Sequence, residues 1–168
     1  MTKRILLVDD DRSIRESLSK ILRAENYEVV LGENGQEAIE NQGAERIDLL
    51  ILDFDPAASG VTNDWATSLE RLVGINPLLP VVIITGRSNQ RALAETAGAD
   101  ALMEKPLDVP LLLQTISELL TESMESRAQR ARDRVSRFRF APCDRDLFRE
   151  SMLKRLDTPY PFPATTDT

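Results

Sequence analysis

The sequence contains no histidine, and that absence removes a large share of enzyme chemistry. Without an imidazole there is no histidine general acid or base, no Ser-His-Asp triad and little basis for a zinc centre. Cysteine is nearly as scarce. Cys143 stands alone, which excludes an intramolecular disulfide and argues against a thiolate metal site. No apolar run approaches the roughly 20 residues needed to cross a bilayer. Met1-Thr2-Lys3-Arg4 passes straight into Ile5-Leu6-Leu7-Val8, without the longer apolar stretch and cleavage site of a secretory leader. The expectation is a cytoplasmic protein with no membrane partner. Its chemistry is left to carboxylates, lysine and hydroxyls.

The charge that is present is unevenly distributed. Residues 1–123 hold 11 Lys and Arg against 21 Asp and Glu, whereas residues 124–156 hold 10 against 5. The reversal of sign predicts two regions with different roles, followed by a Pro-rich flexible tail over 157–168 with Pro159, Pro161 and Pro163.

The acidic region alternates two patterns. Short apolar runs at Ile5–Val8, Tyr27–Leu31, Ile47–Leu52 and Val81–Ile84, with a fifth at Ala101–Met103, have the length and two-sided apolarity of buried parallel strands. Between them lie helical stretches. Ile14, Leu18, Ile21 and Leu22 form one apolar stripe, and a short helix is predicted from Gly35 to Asn41. Two more are predicted over Trp65–Val73 and Asn89–Thr96, the latter ended by Gly98. Asp108 is placed to cap a last helix through Leu120. Five strands interleaved with five helices predict an α/β fold, a doubly wound five-stranded parallel sheet.

In such a sheet, ligands bind beyond the carboxyl ends of the strands. Those ends carry Asp9-Asp10-Asp11, Asp53, Thr85-Gly86 and Lys105-Pro106. Three carboxylates converging on one crevice repel each other unless a cation lies between them. Mg²⁺, which takes a few carboxylates together with water and phosphate oxygens, suits the set best. A carboxylate beside such a cation and a lysine can attack a phosphoryl donor. The alternative is that an Asp-rich run after a strand supplies only turns and helix caps, and capping is the reading for Asp11.

Leu7-Val8-Asp9-Asp10-Asp11, Asp48 to Asp53, Ile84-Thr85-Gly86 and Lys105-Pro106 together resemble the motif set of response-regulator receiver domains, over roughly residues 3–123. The resemblance implies a flavodoxin-like fold and phosphoryl transfer from a sensor histidine kinase or phosphotransfer protein to Asp53. It implies Asp9 and Asp10 as the metal-binding acidic pair and the backbone carbonyl of Asp55 as a further ligand. Thr85 becomes the switch hydroxyl and Lys105 the phosphate-sensing lysine, with a cis bond before Pro106. Catalysis is then confined to self-phosphorylation and self-dephosphorylation. Lacking histidine, the chain cannot itself be the kinase.

The loop from Phe54 to Trp65 departs from the family pattern: Pro56 arrives one residue early and the stretch to Pro80 is long. The Asp55 side chain is expected to face solvent, with attraction of a second cation or repulsion of the phosphoryl donor as the alternatives. Leu102 stands where many receivers carry an aromatic switch residue, and Arg87–Leu107 is the expected phosphorylation-sensitive face. Met124–Phe140 is expected to prolong the last helix with a solvated basic face, and Leu147–Leu156 to form a short amphipathic helix. Phe138, Phe140 and Phe148 could anchor a partner or fold back on the receiver. Output through an unknown protein partner, with a homodimer left open, is favoured over a DNA-binding regulator using Arg127, Arg130, Arg134, Arg137 and Arg139. The acidity of residues 1–123 and the lack of a helix-turn-helix disfavour nucleic acid. A receiver that is never phosphorylated and serves as a scaffold is the third reading.

Overall fold

Ile5 to Val8 are four consecutive buried residues, which requires cover on both faces of their strand. The computed structural model describes residues 2–34, 37–40, 46–54, 64–133 and 138–143. In chain order the elements are β1 (Arg4–Val8), α1 (Arg12–Ala24), β2 (Glu28–Gly32), α2 (37–40), β3 (Leu49–Phe54) and α3 (Asp64–Ile75). They continue with β4 (Val81–Thr85), α4 (Arg91–Ala97), β5 (Ala101–Glu104), α5 (Val109–Thr121), α6 (Met124–Arg132) and β6 (Arg139–Ala141). All strand pairs are parallel, in the order β2-β1-β3-β4-β5-β6. This is the expected doubly wound α/β sheet with one strand more than the five anticipated.

The period-two alternation of the strands divides the core into two layers. Leu6, Val8, Leu50, Leu52, Val81 and Ile83 face Leu69 and Leu72 of α3 and Ala94 and Ala97 of α4. Ile5, Leu7, Leu49, Ile51, Val82 and Ile84 face Leu18 and Leu22 of α1 and Leu112, Ile116 and Leu119 of α5. Local signals set the helix ends as expected. Asp11 accepts hydrogen bonds from the amides of Ser13 and Ile14 (2.8 and 3.1 Å) and Asp108 from that of Leu111 (3.0 Å). Gly98 ends α4 at φ 96°, the left-handed conformation that glycine adopts without penalty.

Two expectations are corrected. The apolar stripe of α1 is displaced: Leu18 and Leu22 are buried, but Ile14 is exposed and Arg15 is buried instead. The guanidinium of Arg15 donates to the backbone carbonyl of Asp9 and to the exposed Glu33, and these bonds offset its burial. The basic extension likewise is not a prolonged helix. Helix α5 stops at Thr121, Glu122 is extended (ψ 138°), and Ser123 caps a new helix by accepting from the amide of Ser126 (3.1 Å). Nor is its basic face wholly solvated. Arg130 is buried between Asp100 and Glu122, Phe138 and Phe140 fold back against the core, and residues 139–141 add the sixth strand. The expected loop after Phe54, the helix over 147–156 and the tail over 157–168 lie outside the described residues.

Candidate functional site

The order β2-β1-β3 makes β1 and β3 neighbours, with Val8 paired to Leu52. The next residue of each strand path is an aspartate, so Asp9 and Asp53 emerge side by side at the switch point of the sheet. One carboxylate oxygen from each of Asp9, Asp10 and Asp53 falls in a group within 4.8 Å of one another. Asp9 is buried, Asp10 is exposed, and the Asp53 side chain is only 3% exposed.

Opposite them, Lys105 follows β5 and reaches across to Asp53, with Nζ 2.5 Å from Oδ2. The other oxygen, Asp53 Oδ1, is buried and has no hydrogen-bond partner among the described residues. A buried carboxylate oxygen left bare is costly, and a cation in the crevice would satisfy it. Crowding has a second signature. Burial, then the facing Asp53 carboxylate, pushes Asp9 up from its ordinary value to about 7. The amide of Asp11, donating to Asp9 Oδ1 at 2.8 Å, and the charge of Lys105 oppose that rise without cancelling it.

Thr85 ends β4 fully buried, one residue beyond the Ile84 that pairs with Asp53. Its Oγ accepts from the amide of Arg87 (3.1 Å), and its carbonyl accepts from the amide of Lys105 (2.7 Å). The Lys105–Pro106 bond is cis. The fold thus brings together Asp9, Asp10, Asp53 and Lys105, with Thr85 at the neighbouring strand end. Asp55 lies outside the described residues.

The receiver-domain family model, described as "Response regulator receiver domain", matches residues 5–117. The chain belongs to the response regulator receiver domain family, which serves two-component signalling. Response regulator MprA of Mycobacterium tuberculosis (strain ATCC 25618 / H37Rv) is 33% identical over 153 residues, covering 89% of this chain and 64% of that protein. MprA of Mycobacterium leprae is 37% identical over 120 residues, covering 70% and 50%. The chain therefore spans less than two thirds of the length of these relatives. Among solved structures, a CheY-like receiver domain protein from Methanospirillum hungatei JF-1 superposes with a TM-score of 0.66 at 28% identity, covering 77% of this chain and 98% of that one. TrrA of Thermotoga maritima, solved in complex with Mg²⁺ and BeF, gives 0.61 at 32% identity, covering 70% and 99%.

One residue of this receiver's site escaped the sequence reading. Arg15 donates from one guanidinium nitrogen to the backbone carbonyl of Asp9 and from the other to Glu33 (2.8 Å). It thereby ties α1 and the segment after β2 to the turn that carries the acidic pair. The available signal was an arginine one position from Ile14 on the inward side of an otherwise apolar stripe.

Proposed function

We propose that this receiver accepts a phosphoryl group on Asp53 from a histidine kinase or phosphotransfer protein and passes the signal on by protein–protein contact. The observation that carries the reading is Asp53 itself: a buried carboxylate facing two others, one oxygen held by Lys105 and the other without a hydrogen-bond partner among the described residues. Asp9, Asp10 and Asp53 would hold Mg²⁺, joined by the backbone carbonyl of Asp55 as the family resemblance implies. When bound, the cation would neutralise charge on the oxygens of the transferring group.

The residues of the chain then divide the work. An Asp53 oxygen attacks phosphorus, and the bond from phosphorus to the donor's nitrogen or oxygen breaks, its electron pair leaving with the donor. Lys105 exchanges the carboxylate for a phosphoryl oxygen, keeping a charge-assisted contact throughout. The Thr85 hydroxyl turns to donate to another. No turnover of an external substrate is implied, so self-phosphorylation and self-dephosphorylation are the whole of the chemistry.

Regulation of transcription by direct contact of the arginines with DNA has less support. Arg130 is sequestered by Asp100 and Glu122, and Arg139 lies against Glu118 and Glu122. Intact mass after incubation with acetyl phosphate and Mg²⁺ tests the proposal. Wild type should gain one phosphoryl group and Asp53→Asn should gain none. No gain in wild type, with a cognate kinase also tried, would leave the scaffold reading in its place.

A further inference from the structure

Strand β6 occupies an edge that the other five strands leave open. It pairs with β5 through Ala101–Arg139, Leu102–Phe140 and Met103–Ala141, and is held at both ends by side chains. At its start, the amide of Arg139 donates to the carbonyl of Asp100 (3.0 Å). The guanidinium of Arg139 lies 3.5 Å from Glu118 and 3.6 Å from Glu122. Beneath it, Arg130 joins Asp100 to Glu122. At its end, the amide of Cys143 donates to Glu104 (3.1 Å). The edge of β5 is thus a strand-accepting surface flanked by acids, and its occupant is the chain's own segment 138–143, which carries Arg139 to them.

Two of these attachments lead directly to the site. Glu104, which holds Cys143, immediately precedes Lys105, the partner of Asp53. Phe140 lies under the guanidinium of Arg91, 5.7 Å from the ring centre. Arg91 opens α4, which follows the turn where Thr85 holds the amide of Arg87. The strap is also short. Among the described residues three of its positions pair with β5, and a half-open cavity of about 320 Å³ adjoins it and α5, lined by Leu102, Leu111, Thr115 and Phe140 among others. Short edge elements open at small cost.

We propose that residues 138–143 are a phosphorylation-released strap that masks the β5 edge in the unphosphorylated receiver. This inference rests on the proposed phosphorylation of Asp53. A phosphoryl group there draws Lys105 and the Thr85 hydroxyl toward itself. That shifts Glu104 at the end of β5 and the turn leading to Arg91, so the Cys143 and Phe140 attachments weaken together. Because coupling between two events is reciprocal, loosening the strap must also favour phosphorylation.

Hydrogen exchange read beside intact mass tests this. In the unmodified protein the amides of Arg139 and Cys143 should be protected. After acetyl phosphate and Mg²⁺ they should exchange about tenfold faster or more, while β4 is unchanged. A phosphoryl gain with no change at 138–143 overturns the strap and leaves the phosphorylation reading standing. No phosphoryl gain overturns both. Arg139→Glu, which sets like charge against Glu118 and Glu122, provides the reverse arm. It should speed exchange at 138–143 without phosphorylation and raise the phosphorylated fraction at limiting acetyl phosphate several-fold. Faster exchange with an unchanged phosphorylated fraction would make the strap merely structural and overturn the coupling.

Discussion

Asp9 shows most clearly how one side chain reports the state of the site. It is raised to about 7 by burial and by Asp53, so in the folded protein without a cation it holds its proton more tightly than in the unfolded chain. A carboxyl raised in this way contributes stability that is complete below about pH 4 and is lost as pH rises through about 7. We predict that, without Mg²⁺, the melting temperature of wild type falls relative to that of Asp9→Asn across this window. Added Mg²⁺ should reduce the difference, because the cation takes the place of the proton. Parallel melting profiles for the two proteins would contradict the assignment. The placement of Asp9, Asp53, Thr85 and Lys105 near one edge of the sheet was legible in the sequence because each lies within two residues of the end of an apolar run. Arg15 was not, since its burial depends on the Asp9 carbonyl and Glu33, which only the folded turn brings to it.

At the scale of elements, the helix caps at Asp11 and Asp108 and the left-handed Gly98 are local events, so nearby residue types were enough to predict them. The break after α5 is different. Glu122 and Ser123 interrupt a run that reads as helix-forming, because stopping there lets Arg130 bridge Asp100 and Glu122 while Ser123 caps α6. Tertiary pairing outweighs propensity at this point. Losing the guanidinium should therefore be destabilising: Arg130→Met would remove the buried cation that lies between Asp100 and Glu122. We predict a loss of about 3 kcal/mol, in the range for breaking a buried ion pair, read from the midpoint of urea unfolding. A loss below about 0.5 kcal/mol, typical of surface substitutions, would show that the bridge contributes little.

For the whole molecule, the uneven charge of the sequence becomes an internal complementarity. Among the described residues of the extension, Arg130 and Arg139 face Asp100, Glu118 and Glu122 of the acidic region, so opposite charges of the two regions meet there. Five strands were evident from their apolar runs. The sixth, Arg139-Phe140-Ala141, is too short to announce itself and is defined by the edge it meets. Among the described residues, no helix is long and apolar enough to cross a membrane. We predict that Asp53, and no neighbouring carboxylate, carries the phosphoryl group. Borohydride reduces an aspartyl phosphate to homoserine, and peptide sequencing by mass spectrometry then locates it. Homoserine at position 53 and at neither 9 nor 10 is the predicted result. Homoserine at 9 or 10, or a phosphorylated chain yielding none, would contradict it.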